Sequence, residues 1–268
     1  MVETVTLIKI NQGQYPVYSC HEMKNSKADL CQKEYITFSG IKLGRQKDIN
    51  KCASEMIKIL KKFPKVASDD WIVVNVSAEI ENAAYCIAKE VSKRLNKRHE
   101  RLYQKIWKTE KYYLDMTNAE KIDILQKNVY YSGTPIVGKK AILIDDGMTT
   151  GIAIKINGEV LFQNGITDLV AINYLKVKKS PKNLEKEIGK TVYLKLGVDG
   201  LIEILTNTKN PIISRMVSIC AGLPDSEIKK IFMNISHGRA KELLEKAKIY
   251  AINRPNFQRF IKIGNEMS

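Results

Sequence analysis

Four apolar residues in a row, Ala141-Ile142-Leu143-Ile144, run directly into Asp145-Asp146-Gly147-Met148-Thr149-Thr150-Gly151. A strand with one wet face alternates apolar and polar residues, whereas an unbroken apolar run bounded by turn residues belongs to a strand covered on both faces. Helical spacing is predicted next, over 150–162, closing near Asn164-Gly165. A second such run, Leu169-Val170-Ala171-Ile172-Asn173-Tyr174, follows at once. A third, Trp71-Ile72-Val73-Val74-Asn75-Val76, comes earlier and leads into helical spacing over 81–95. Strands alternating with helices predict an α/β fold around a mostly parallel sheet flanked by helices.

Around this core the pattern changes three times. Thr4-Val5-Thr6-Leu7-Ile8-Lys9-Ile10 alternates, turns at Asn11-Gln12-Gly13-Gln14 and resumes at Tyr15, which predicts an N-terminal β-hairpin. Tyr35-Ile36-Thr37-Phe38 reads as a further extended piece, and Ile49, Cys52, Met56, Ile57 and Leu60 predict a helix over 48–63, ended by Pro64. Residues 97–136 lack apolar periodicity except for a helix over 118–127, and read as a mobile loop. Thr191–Leu196 and 201–205 flank Val198-Asp199-Gly200 as a second hairpin. From Pro211 to 252 the spacing is helical, with a start at Pro224-Asp225-Ser226-Glu227 and a restart at Gly238. The expected division is a β element over 1–45, an α/β core over 46–208 and a helical subdomain over 209–268.

With 44% hydrophobic and 27% charged residues, the 268-residue chain has the balance of a folded protein. No apolar run approaches the roughly 20 residues a membrane span needs. The start Met1-Val2-Glu3-Thr4 lacks a signal-peptide layout, so a cytoplasmic protein without a membrane partner is expected. Five cysteines, Cys20, Cys31, Cys52, Cys86 and Cys220, include no C-x-x-C pair and read as reduced thiols. Cys20-His21 with Cys31 lacks a fourth metal ligand, and His237 reads as a cation at a helix end. The net charge of +15 suits a phosphate-rich partner. Lys far outnumbers Arg and is spread along the chain, so nucleic acid is compatible with this charge but not required by it.

The chemistry concentrates at 141–153. Paired acids at the carboxyl end of a buried parallel strand lie where open α/β sheets bind ligands. They can accept hydrogen bonds from two sugar hydroxyls. Thr149, Thr150 and Gly151 fall at a helix start, where backbone N–H groups, hydroxyls and the helix dipole favour phosphate. The plainer alternative is that Asp145-Asp146 only caps the helix. The segment carries neither a P-loop nor a dinucleotide-binding glycine pattern.

As a whole, 141–153 resembles the ribose-phosphate signature of type I phosphoribosyltransferases: four apolar residues, two acids, two small or apolar residues and a hydroxyl-rich turn ending in Gly. Gly147 departs from it, standing where that family usually has Val, Leu, Ile, Met or Ser. The element order over 45–178 also resembles the family's core. The resemblance implies an enzyme that binds 5-phosphoribosyl-1-pyrophosphate with Mg²⁺. It would transfer ribose 5-phosphate to a nitrogenous acceptor, releasing pyrophosphate through a transition state of oxocarbenium character. It implies Asp145 and Asp146 as the residues orienting the ribose, with Gly147, Met148, Thr149, Thr150, Gly151 and Ala153 forming the binding loop.

By the same resemblance, the pyrophosphate loop falls at Ser77-Ala78-Glu79, which also reads as an ordinary helix start. A flexible hood falls at 97–108, with Arg98, His99, Arg101 and Lys105 as its cations, although a charge run also makes a solvated face. Tyr113-Leu114-Asp115-Met116-Thr117 with Gly138-Lys139-Lys140 resembles the approach in competence-type and amidotransferase-type members. The metal would be held mostly through substrate rather than by protein side chains alone. Salvage enzymes for 6-oxopurines carry Asp in the place of Thr149, so a hypoxanthine or guanine acceptor is disfavoured. A homodimer is compatible with this class. The competing reading is a regulator that binds the ribosyl pyrophosphate or a nucleotide without turnover and contacts nucleic acid through its basic surface. A third is a module whose helical tail docks a protein partner.

Overall fold

In a computed structural model, which describes residues 4–23, 33–105, 116–177, 196–251 and 254–267, seven strands form one sheet. The strands are β1 (Thr4–Ile10), β2 (Gly13–Met23), β3 (Trp71–Ser77), β4 (His99–Gln104), β5 (Val129–Tyr131), β6 (Lys140–Met148) and β7 (Asp168–Val177). Their order is β1-β2-β7-β6-β3-β4-β5, parallel from β2 to β4 with an antiparallel strand at each edge. The expected α/β architecture, with its N-terminal hairpin β1–β2 and a helical C-terminal part, is what the chain adopts.

Strand parity sorts the core. Ile142 and Ile144 face helices α1 (Lys33–Lys42), α2 (Gln46–Leu60) and α3 (Ala83–Leu95), while Ala141 and Leu143 face α4 (Asn118–Asn128) and α5 (Ile152–Gln163). Each face buries its own apolar cluster, so every central strand is covered on both sides, as its unbroken apolar run demands. Five more helical segments follow: α6 over 196–206, α7 (Ser214–Ala221), α8 (Asp225–Asn234), α9 (His237–Tyr250) and α10 (Pro255–Met267). They share a separate apolar core that also takes in Leu43.

Several expectations are corrected. Tyr35-Ile36-Thr37-Phe38 is not extended but lies in α1. Phe38 and Ile41, three residues apart, are both buried against the sheet, and that burial overrides the strand preference of β-branched and aromatic residues. The second hairpin is not formed by 201–205: Leu201, Ile204 and Leu205 are buried at helical spacing in α6, and its other arm, 191–195, lies outside the described residues. Within 97–136, strands β4 and β5 extend the sheet where a mobile loop was expected. Segment 106–115, which includes Tyr113, Leu114 and Asp115, lies outside the described residues, as does Cys31. His237 opens α9 rather than closing a helix, so it stands at the positive end of the dipole, not the end that favours a cation. Cys20, Cys52, Cys86 and Cys220 are free thiols, and no described helix is long and apolar enough to cross a membrane.

Candidate functional site

The chain leaves β3 through α3 to reach β4 on one side, but leaves β6 through α5 to reach β7 on the other. Strand order therefore reverses between the neighbours β3 and β6, and the two chain connections diverge at their carboxyl ends. Open α/β sheets have their ligand crevice at this kind of point. A cavity of 260 Å³ lies there, lined by Val76, Asn82, Ala84, Gln104, Leu125, Ile144, Asp145, Ala153 and Asn157.

The two acids do not act as a pair. Successive strand residues point to opposite faces, and both Asp145 and Asp146 belong to β6. Asp145 is half-buried, lines the cavity and takes a hydrogen bond from the Asp146 backbone N–H at 2.8 Å through its Oδ1. Asp146 is buried on the other face, where its Oδ1 accepts from Lys42 Nζ of α1 at 2.7 Å. This corrects the expectation that both carboxylates meet the sugar: side-chain alternation on an extended strand sends only the first to the crevice. Neither acid caps α5, which removes the plainer alternative. The N-cap is Gly151 at φ 76°, which has no side chain to cap with, and Ile152 N–H donates a long hydrogen bond to Thr150 Oγ1 at 3.4 Å.

Thr149 and Thr150 are exposed, so the turn before α5 is open to solvent. Gly151 needs its glycine for the positive φ, and a Cβ there would also lie 3.3 Å from Ile8 of the hairpin. Gly147 has a different reason to be glycine. Its φ is ordinary, but a Cβ would sit 3.0 Å from the Phe38 ring. The departure from the signature thus makes room for α1 rather than loop freedom. The Met148 side chain is buried in the core, with its sulfur 3.7 Å from where a Cβ on Gly151 would sit.

At the end of β3, Ser77 is fully buried and its Oγ has no hydrogen-bond partner, Ala78 is half-buried and Glu79 is exposed. Ser77 does not cap α3. Asn82 does, accepting from Tyr85 N at 2.9 Å while its Nδ2 donates to Val76 O at 2.9 Å, which ties the loop back to the strand.

Of the four cations placed in a hood, the structure brings one to this loop. Arg101, on β4, donates from its NH2 nitrogen to Ala78 O at 2.6 Å. Arg98 is paired with Glu100 at 2.7 Å, and Lys105 lies 5.4 Å over the Tyr130 ring. His99 donates from Nε2 to Asn75 Oδ1 at 2.8 Å. Burial, then the charges of Lys89 and Arg101, push its pKa down to about 4, so it is neutral at pH 7 and supplies no charge. These residues lie in or beside an inner strand, β4, which pairs with β3 on one side and β5 on the other.

Sequence reasoning missed Lys42, Asn82, Gln104 and Asn157. Only Asn157 left a signal: Asn-Gly inside the apolar helix Ile152–Gln163 is a poor choice for a helix interior. Gly158 is explained by Tyr15, whose hydroxyl donates to Ile154 O at 2.7 Å and would collide with a Cβ at 158. That contact seats the hairpin against α5.

No family model matches the chain, and no curated protein matches it. Among solved structures, it is similar to hypoxanthine phosphoribosyltransferase from Staphylococcus aureus. In the orthorhombic crystal form the identity is 14% and the TM-score 0.35, over 50% of this chain and 76% of that one. In the tetragonal form the identity is 14% and the TM-score 0.34, over 50% and 74%. At that distance no chemistry carries over, and the functional reading stands on this chain's own residues.

Proposed function

We propose that the chain is a phosphoribosyltransferase of the type I class, binding 5-phosphoribosyl-1-pyrophosphate across the carboxyl ends of β3 and β6. One observation carries this reading: a carboxylate that faces a crevice at the strand-order reversal, next to an open, uncapped helix start. Asp145 accepts from the ribose, and Thr149, Thr150 and the first N–H groups of α5 receive the 5-phosphate. Ser77-Ala78-Glu79, with Arg101 beside it, receives the pyrophosphate. Displacement of pyrophosphate by a nitrogen nucleophile then depends mainly on position and charge. Asp146 acts from the other face, by holding Lys42.

Among the described residues no three His, Cys, Asp or Glu side chains converge. A Mg²⁺ ion would fit as one held by substrate oxygens and water, with Asp145 the carboxylate nearest to them; it would neutralise charge on the leaving group. The acceptor is a nitrogenous compound, and Thr149 in place of an acid disfavours 6-oxopurines.

Calorimetry with the ribosyl pyrophosphate and Mg²⁺ tests the reading. Asp145→Asn is expected to weaken binding at least tenfold, the scale of a lost charge-assisted hydrogen bond. Unchanged affinity sinks the assignment. A screen of bases, nucleosides and amines for pyrophosphate release then identifies the acceptor.

A second reading, the nucleic-acid-binding regulator, is favoured by the β4–β5 edge. There Arg101 lies 4.6 Å over Tyr103, Tyr103 stacks on Tyr130 at 6.0 Å and Tyr130 is exposed. Single-stranded RNA binding that weakens steeply with salt, without pyrophosphate release for any acceptor, would decide for it.

A further inference from the structure

Resting on the phosphoribosyl reading above, we infer that Asn157 is the second ribose ligand: its Oδ1 accepts one hydroxyl of a vicinal diol while Asp145 accepts the other. Among the described residues, none of those lining the cavity that holds both is a lysine or arginine. Its polar groups are one carboxylate and the carboxamides of Asn82, Gln104 and Asn157, set among aliphatic walls such as Ile144 and Leu125. A phosphate would be badly served there, whereas an uncharged, hydroxylated ring with apolar faces is matched by such a lining.

Asn82 is already committed at both ends of its amide, to Tyr85 N and Val76 O. Asn157 is not. It is 5% exposed, and its Oδ1 is buried with no hydrogen-bond partner. A buried acceptor in that state is costly to keep in a helix whose other residues are mostly apolar. What relieves it is a donor arriving in the cavity. Asp145 is likewise an acceptor, and sugar hydroxyls are donors. Ala153, one turn before Asn157 on the same face of α5, is small enough to leave the space between the helix and Asp145 open. Two acceptors lining one crevice, one from β6 and one from α5, suit two adjacent hydroxyls. The partner that sequence reasoning gave Asp145 was Asp146, but Asp146 is on the far face with Lys42.

The test uses the full chain with Mg²⁺ and three probes in calorimetry: ribose 5-phosphate, 2-deoxyribose 5-phosphate and 3-deoxyribose 5-phosphate. The wild type is expected to lose about tenfold in affinity for each hydroxyl removed, the scale of one hydrogen bond. Asn157→Leu should bind ribose 5-phosphate about tenfold more weakly and no longer distinguish it from one of the two deoxy sugars. Asp145→Asn should lose the distinction for the other. The unfolding midpoint of Asn157→Leu should equal or exceed the wild type's, because an unpartnered acceptor has been removed; Ala153→Leu, which fills the crevice from the same helix face, should abolish binding of all three. If Asn157→Leu keeps both distinctions while Asp145→Asn loses one, this assignment alone falls. If the wild type binds none of the three sugars, it falls together with the reading it rests on.

Discussion

Arg239 in the helical half and Asn157 in the sheet half are buried to nearly the same extent, at 8% and 5% exposure. Arg239 donates to Leu205 O at 2.7 Å, Asn210 O at 2.9 Å and Glu242 at 2.7 Å, so that α9, α6 and the 207–210 turn are stitched together. Asn157 leaves its Oδ1 unanswered, and so do Asn173, with both amide atoms, and the hydroxyls of Ser19 and Ser77. Among the described residues every buried polar side-chain atom without a partner belongs to the sheet half. Ser19, Asn173 and Asp145 even share one row across β2, β7 and β6. A half that satisfies its own polar groups is built for persistence. A half that leaves them open holds unmet hydrogen-bonding capacity, and native proteins tolerate that mostly where function requires it.

The contrast can be broken most forcefully in the helical half. Phe260, fully buried against Phe232, anchors α10 on α8; Phe260→Ala should cost about 3–5 kcal/mol, read as a lower denaturation midpoint. Arg239→Met strands two buried carbonyls, and about 2–4 kcal/mol of destabilisation is expected in the same assay. The sheet half should answer with the opposite sign. Asn173→Val exchanges two unpaired polar atoms for a side chain suited to a central strand, and should raise stability by about 1 kcal/mol. A fall there would erase the distinction between the halves.

The smallest effect is a dependence on pH. His99 has a folded pKa of about 4 against 6.5 for the free side chain, because burial penalises its cation and Lys89 and Arg101 repel it. The unfolded chain therefore binds the extra proton first. The stability that this group contributes is complete above about pH 6.5 and declines as the pH falls towards 4. His99→Gln should flatten that part of the profile of melting temperature against pH, and an unaltered slope would exclude His99 as its source.

The continuous apolar runs made the sheet legible, since few arrangements bury Trp71–Ser77, Lys140–Met148 and Asp168–Val177 on both faces. Helices with a clear 3.6 period, such as α2 and α3, were legible for the same reason. What escaped were segments whose local preference lost to packing. Tyr35–Phe38 has strand-forming residues, but the burial of Phe38 and Ile41 makes them helical. The 196–206 segment carries a turn-like Asp199-Gly200, yet Leu201, Ile204 and Leu205 hold it as a helix. At the site, the signature located Asp145 and the α5 start, but the facing of Asp146 depends on how far β6 remains extended. Asn157 becomes meaningful only when α5 is laid across the sheet.

The opposite facing of Asp145 and Asp146 makes the crevice a matter of odd and even. One residue inserted in β6 ahead of them, or one step of slippage against β7, would turn the Lys42-bound acid inward and the other outward without altering composition or charge. On the proposed function, recognition at this edge is guarded by the anchoring of β6 at the strand's opposite end, through the Lys140–Asp70 ion pair, as much as by the acids themselves.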